Sequence, residues 1–430
     1  EIIGSSHAAS SLQAVQFWSG LLNEPMISVV PSLCAIRLLW SSWSCVGARH
    51  QKVPGDGPVM PEDKYFAEYG LLYDHIGMLQ DHQRMGSYYR AIADNAEAHF
   101  RGKTVLDVGA GTGVLSIWAA QAGAAKVYAV EATAVARHAE TMVKAHKLGG
   151  TIEVLHGKME EVNLPEQADV IISEWMGYFL LRESMVQSVL YARDKWLKKD
   201  GVMYPSHASI MLASLHEPGF AELRAYELTN EMESWNRIAE DTSKRYSLDF
   251  KALREDIRKE NMDYFYHQTW QSPLGTNALV GSPSALLSVD MKTASFQDLF
   301  GWQHTVQLPP PIQSDHTVQL HGLESQQVGL LCGWFEVEFA AAESAVNSTL
   351  STSPKTTLTH WMQTSFILDQ PLVHPYTMTV GLEQSKKSHH DLNVTLAYQG
   401  SQGTQVTTSY EITAAVRYER RSDNDAAAKS

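Results

Sequence analysis

Glu174 and Glu183 stand near the two ends of a largely apolar run, Ser-Glu-Trp-Met-Gly-Tyr-Phe-Leu-Leu-Arg-Glu-Ser-Met over residues 173–185. Two carboxylates in such surroundings either share a proton or grip a cation, because a lone buried charge is too costly to keep. They are nine positions apart, an offset that on one helix turns through about 900° and puts the side chains on opposite faces. They can converge only if the chain doubles back in a hairpin-like loop. Two solvated surface acids are the competing reading, and this segment by itself leaves both open.

A second constellation lies upstream. Val105-Leu-Asp-Val-Gly-Ala-Gly-Thr-Gly-Val-Leu runs from a strand through a glycine-rich turn into a helix. Gly109, Gly111 and Gly113 let the backbone approach a ligand that a Cβ would hold away. Twenty positions after Gly111 the next strand ends in Glu131, placed to accept hydrogen bonds from a ribose diol. Together these predict a cofactor containing adenosine. The dinucleotide fingerprint is Gly-x-Gly-x-x-Gly with a pyrophosphate on the helix N-terminus. Here the spacing is Gly-x-Gly-x-Gly, and Asp107 sits at the turn. A carboxylate there repels a pyrophosphate and suits an ammonium, so S-adenosyl-L-methionine is the predicted cofactor.

The elements that must position these groups follow a regular pattern. Short apolar runs at Val105, Val127, Ile152 and Val170 alternate with helix-length segments such as Val114 to Gln121 and Ala132 to His146. Strands alternating with helices predict an α/β, doubly wound parallel sheet of the Rossmann-like kind. Ahead of it, the spacing of Leu71, Leu72, Ile76, Leu79, Met85 and Tyr89 suits helices. Beyond Tyr204-Pro205 the alternation stops, and runs such as 333–339, 377–382, 392–398 and 406–412 show the period of two expected of antiparallel strands in a sandwich or barrel. Within that half, residues 218–260 read as an amphipathic helical insertion carrying Leu223, Tyr226, Leu228, Met232 and Trp235. The predicted organisation is an N-terminal extension over 1–60, helices plus the cofactor-binding domain over 61–205, a β-barrel-like domain with its helical segment over 206–418, and a tail over 419–430. The extension ends in a Pro/Gly-rich linker, Lys52 to Asp63.

The chain has 430 residues, 44% of them hydrophobic, and a formal charge of −14. That balance argues against a nucleic-acid-binding face as the main business and favours basic partners. Three cysteines, Cys34, Cys45 and Cys332, stand in no metal-ligand spacing, which predicts a reducing compartment, cytoplasmic or nuclear, and no metal site. Pro31 and Arg37 interrupt the apolar run from Met26 to Trp43, so no membrane span is expected there. An organelle-targeting role for the first 60 residues is the minor alternative.

With these pieces in order, the chain resembles the class I protein arginine methyltransferases, most of all their plant-type branch. Four separated motifs carry the resemblance over most of the chain from Tyr65 to Ile412. They are Tyr65-Phe-x-x-Tyr69 with Met78-Leu-x-Asp81-x-x-Arg84, Val105-Leu-Asp-Val-Gly-x-Gly-Thr-Gly, the loop at 173–185, and Thr359-His-Trp-x-Gln-Thr. The resemblance implies that Arg84 pairs with the cofactor's methionine carboxylate, Asp107 lies near its amino-acid end and Glu131 holds its ribose. Met159 and Glu160 match positions at the adenine. Glu174 and Glu183 match paired glutamates that clamp the substrate guanidinium and stay ionised to do so. His360 and Asp81 match a pair that relays the departing proton, while Tyr65 and Tyr69 close the pocket.

Met78, Met185 and Trp361 match pocket positions of the branch that makes monomethyl and asymmetric dimethylarginine. The implied substrates are arginine-containing basic proteins such as histone tails and Gly-Arg-rich proteins. The implied assembly is a homodimer in which a helical arm, here about 218–246, grips the partner's cofactor domain. Two other readings stand beside this one: a methyltransferase acting on RNA or small molecules, and a non-catalytic scaffold for arginine-rich tails. Residues 1–60 and the local insertion at 307–327 match nothing in the family.

Overall fold

The computed structural model describes residues 65–67, 69–215, 218–266, 269–308, 328–373 and 376–413. The readings for residues 1–60, for most of 307–327 and for 419–430 therefore fall outside the described residues. Tyr65, Phe66, Ala67 and Tyr69 lie on a short helical segment. Helices α1 (Leu72–Gln80) and α2 (His82–Asp94) follow. They are separated by Asp81, whose carboxylate accepts the Arg84 N–H at 2.9 Å and so caps the start of α2.

The apolar spacing at 71–89 is helical as the sequence predicts, but part of the stripe faces away from the core. Leu71, Leu72, Ile76 and Tyr89 are exposed, whereas His75, Ser87, Tyr88, Ala91 and Ile92 are buried. The core contacts of these helices are thus made mainly by Tyr88, Ala91 and Ile92 of α2.

Five strands, β1 (Thr104–Val108), β2 (Lys126–Glu131), β3 (Ile152–His156), β4 (Ala168–Ile172) and β5 (Leu197–Tyr204), form one sheet in the order β3-β2-β1-β4-β5. Every pair is parallel. Helices α3 (Val114–Gln121), α4 (Ala136–Ala145) and α5 (Val186–Trp196) connect and cover it. All of β1 is buried, as a central strand covered on both faces must be, which makes the acid Asp107 within it conspicuous. From β1 the chain winds outward through β2 and β3, then returns to β4 on the other side. The C-terminal ends of β1 and β4 thus flank the topological switch point, where open α/β sheets bind ligands. The glycine turn leaves one of those ends and Glu174 leaves the other.

The second half is antiparallel. β6 (His207–Leu215), β7 (Trp270–Ser272), β8 (Leu279–Asp290), β10 (Val328–Phe339) and β12 (Gln363–Leu372) lie in the order β7-β12-β10-β6-β8, with β11 (Ser348–Ser351) paired to β10. β9 (Trp302–Gln307), β13 (Thr377–Gln384), β14 (Leu392–Gln399) and β15 (Gln405–Ile412) make a four-stranded sheet in the order β15-β14-β13-β9. In β14, buried Leu392, Val394, Leu396 and Tyr398 alternate with less buried neighbours, the period of two that one covered face imposes.

Helices α6 (Pro218–Tyr246) and α7 (Arg254–Tyr266) form the insertion between β6 and β7. Trp235 turns inward to meet Phe250, ring centroids 6.3 Å apart, while Tyr226 and Ile238 are exposed. The two halves share one apolar core. At their seam Tyr88 packs edge-on against Phe339 at 4.9 Å, and Tyr204 lies between Phe339 and Phe100. Side chains from both halves can therefore be held against each other at the switch point.

Candidate active site

The loop after β4 does double back. Gly177 donates its N–H to the Leu180 carbonyl at 2.9 Å, and the two residues form an isolated antiparallel bridge. Phe179, Leu180, Glu183 and Ser184 take left-handed backbone angles, with φ of 51°, 69°, 85° and 58°. Gly177 has no substitute here, because a Cβ would overlap the Arg182 carbonyl. The loop is pinned from several sides. Tyr88 donates its hydroxyl to Ser173 O at 2.9 Å, Ser173 Oγ donates to Val108 O at 2.7 Å, and Trp361 Nε1 donates to Met176 O at 2.9 Å.

Both glutamates are drawn into the site and each meets a guanidinium of the chain itself. Arg84 donates through Nε at 2.8 Å and pairs through Nη2 at 2.7 Å, both with Glu174 Oε2, while Glu174 Oε1 accepts the Met176 N–H at 3.2 Å. Arg182 Nη1 donates to Glu183 Oε1 at 2.9 Å, and the Tyr69 hydroxyl donates to Oε2 at 2.7 Å. Burial pushes the Glu183 carboxyl above its ordinary value; Arg182 and the Tyr69 hydrogen bond pull it back, and Glu174 adds to the rise. Glu183 therefore depends on cations around it to stay ionised.

His360 and Asp81 also meet. Asp81 Oδ2 accepts the His360 main-chain N–H at 2.9 Å and lies 2.8 Å from its Nδ1. Burial by itself would raise the Asp81 carboxyl, but the hydrogen bonds from His360 and from Arg84 N–H outweigh it and hold it below the usual range. Trp361 is buried, its ring 4.0 Å from that of His360; it underlies the loop as well as bordering the site. Met78 is half-buried, and its carbonyl accepts Arg84 Nη1 at 3.1 Å.

On the cofactor side, Gly109, Gly111 and Gly113 have φ of 72°, 56° and 82°, the left-handed region that favours glycine. A Cβ on Gly109 would overlap the terminal methyl of Met185, and one on Gly111 would press on His75. Glu131 Oε2 accepts the Gly111 N–H at 2.8 Å and Oε1 the Thr133 N–H at 2.7 Å. Asp107 Oδ2 accepts the Ser116 hydroxyl at 2.6 Å. Its Oδ1 is buried with no hydrogen-bond partner among the described residues, and burial pushes the carboxyl up to about 7. Met159 is buried; Glu160 is exposed and accepts the Ser188 hydroxyl at 2.7 Å. Acids at the ends of β1 and β2, one with an unpartnered buried oxygen, suit an ammonium and a diol, and when ionised repel a phosphate, so the residues fit S-adenosylmethionine.

Two participants carry no readable signal in the sequence. Arg182 is one. His390 is the other: its carbonyl accepts the Glu183 N–H at 2.6 Å, its Nδ1 lies 2.7 Å from Glu183 O, and Tyr65 stacks on its ring at 4.2 Å. Glu183 and His390 are 207 positions apart, beyond the reach of any local spacing rule. The charged cluster His389-His390-Asp391 in a polar turn is the only local hint.

A glycine-rich turn at the switch point, acids fitted to an adenosyl amino acid and a substrate loop beside them define a methyltransferase whose cofactor is S-adenosylmethionine. Residues 105–201 match the methyltransferase domain model, and residues 213–403 match that of the arginine methyltransferase oligomerization subdomain. Protein arginine N-methyltransferase PRMT10 of Oryza sativa subsp. japonica is 39% identical over 358 residues, covering 80% of this chain and 91% of the relative. The histone-arginine methyltransferase CARMER of Drosophila persimilis is 37% identical over 343 residues, 79% of this chain and 59% of that protein.

Among solved structures, Arabidopsis thaliana protein arginine methyltransferase 10, described as a uniquely open conformation, has 35% identity and a TM-score of 0.71, covering 81% of this chain and 100% of that one. The Trypanosoma brucei PRMT1 enzyme-prozyme heterotetrameric complex with AdoHcy has 28% identity and a TM-score of 0.63, covering 80% and 100%. The chain belongs to the protein arginine N-methyltransferase family.

Gly177→Ala tests the loop geometry. It is expected to lower the rate of methyl transfer by about two orders of magnitude, since misplacement by ~1 Å is enough for that, and to lower the melting temperature because the overlap is with backbone, while the far-ultraviolet circular dichroism stays close to wild type. Activity within twofold of wild type would show that the tight turn is dispensable.

Proposed function

We propose that this protein transfers methyl groups from S-adenosylmethionine to arginine side chains of basic proteins, histone tails and Gly-Arg-rich segments among them, giving monomethyl and asymmetric dimethyl products. The observation that carries this reading is that Glu174 and Glu183 each already engage a guanidinium. A guanidinium stays protonated in water and its nitrogens are poor nucleophiles. Two carboxylates hold it by charge-assisted hydrogen bonds, draw positive charge away from one terminal nitrogen and aim that nitrogen along a single line. The cofactor, when bound, supplies the electrophilic methyl group.

In this reading Arg84 meets the cofactor carboxylate, Asp107 its ammonium, Glu131 the ribose and Met159 with Glu160 the adenine. With His360 Nδ1–H given to Asp81, Nε2 is left as an acceptor for the proton that leaves the guanidinium. Tyr65 and Tyr69 close over the clamp. Met78, Met185 and Trp361 border the methylated nitrogen and leave room for a second methyl on it.

The exposed apolar stripe of α1 and the exposed Tyr226 and Ile238 of α6 suit a homodimer in which the arm of one copy covers the N-terminal helices of the other. Wild type is expected to add one and then two methyls to a single nitrogen of a Gly-Arg-rich peptide in mass-spectrometric fragmentation. Glu174→Gln is expected to lose about two orders of magnitude in rate. Mainly symmetric product would overturn the product assignment.

Asp107 makes cofactor binding pH-dependent. An ammonium beside it favours the ionised acid, so binding expels the proton that burial retains near pH 7. Affinity should rise with pH up to about 7 and level off above it, and Asp107→Asn should flatten the profile between pH 6 and 8, read by calorimetry. Replacing both Tyr226 and Ile238 by Glu should halve the mass in light scattering; an unchanged dimer would remove the arm from the assembly.

A further inference from the structure

The clamp is not empty of arginine in the substrate-free chain. Glu183 Oε1 is held by Arg182 Nη1 at 2.9 Å and Oε2 by Tyr69, so both of its oxygens are engaged before any substrate arrives. Arg182 has the same planar fork as the side chain that the clamp is built to receive, and only 11% of its side chain is exposed.

A second carboxylate stands behind it. Asp391 Oδ1 lies 3.6 Å from Arg182 Nε, close enough for charge attraction but beyond a good hydrogen bond. Arg182 Nε is at the same time buried with no hydrogen-bond partner among the described residues. An unsatisfied buried donor facing an acceptor just out of reach is costly where it stands and gains from a small movement. A shift of less than about 1 Å towards Asp391 brings the pair to hydrogen-bond distance, and a guanidinium seated there no longer needs Glu183 for its charge. The same residue thus has two anionic seats, one on the clamp and one beside it. Asp391 is carried by the turn of the β half that also brackets the Glu183 main chain through His390, so the second seat is fixed relative to the first.

We propose that Arg182 is a specificity-determining residue, a resident guanidinium that occupies Glu183 in the free enzyme and is handed to Asp391 when a substrate arginine enters. This rests on the reading of Glu174 and Glu183 as the substrate clamp. The exchange replaces one guanidinium by another on Glu183 Oε1 while Tyr69 keeps Oε2, so a planar ligand whose remaining N–H groups can turn to Glu174 can drive it. A lysine ammonium, a point charge without the fork, gains less from the same seat and is turned away. The exchange also keeps the buried carboxylate paired at every stage, which a clamp left vacant would not.

The test uses the full-length chain, a Gly-Arg-rich peptide and steady-state kinetics, with cofactor affinity measured alongside. At a pH high enough to keep Glu183 ionised without Arg182, removing the internal competitor in Arg182→Gln should lower the KM for the peptide about tenfold with cofactor affinity unchanged. Removing the second seat in Asp391→Asn should raise that KM about tenfold, each change corresponding to one charge-assisted hydrogen bond. The double variant should behave as Arg182→Gln alone, because Asp391 acts only through Arg182. A merely structural arginine predicts instead that Arg182→Gln worsens KM and kcat together and that the two changes add. Either an unchanged or raised KM in Arg182→Gln, or an Asp391→Asn effect that survives in the double variant, overturns the inference alone. Absence of methyl transfer to the peptide by wild type overturns the clamp reading, and this inference with it.

Discussion

A carboxylate taken out of water must be met by a cation, and this structure has two of them side by side. Most of what surrounds the switch point follows from that demand. Arg84 reaches Glu174 from the start of α2, and Arg182 reaches Glu183 from the preceding position in the loop. Each of these two glutamates is therefore paired before any ligand arrives. The excess negative charge of the whole chain acts at longer range and attracts cations in general.

The same demand explains why neither half of the fold completes the site. The α/β half supplies the loop and the glycine turn, but Glu183 is bracketed through its main chain by His390, and Asp81 at the junction of α1 and α2 is bonded to His360. Residues from the N-terminal helices, the parallel sheet and the antiparallel sheets thus share single hydrogen-bonded groups. The aromatic seam of Tyr88, Tyr204 and Phe339 keeps the halves in register to the tolerance such bonds require. Tyr65 then couples the first helical segment to the loop of Glu183 through the His390 ring.

The architecture was legible in the sequence because it is written in periodicity: apolar runs for β1 to β4, alternation in β14 and β15, and glycines where the backbone turns left-handed. The doubling back of residues 173–185 was legible too, since two acids nine positions apart have no other way to meet. What periodicity cannot carry is the direction of a stripe. The spacing of Leu71, Leu72 and Ile76 marks a helix, yet those residues face outward, because spacing does not say whether the core or a second surface receives them. Nor could it pair Glu183 with His390 or Arg182 with Asp391, contacts fixed by how the two halves close and not by local order. Nor does amphipathic spacing in the arm say which residues face inward: Trp235 packs against Phe250 while Tyr226 and Ile238 are exposed.

The left-handed residues of the loop have a consequence for how this sequence can change over time. Phe179, Leu180, Glu183 and Ser184 occupy backbone conformations that β-branched side chains disfavour. At these positions a mutation is judged first by whether the chain can still turn, and only then by what its side chain does. The segment is accordingly closed to drift even where no atom of it touches a ligand.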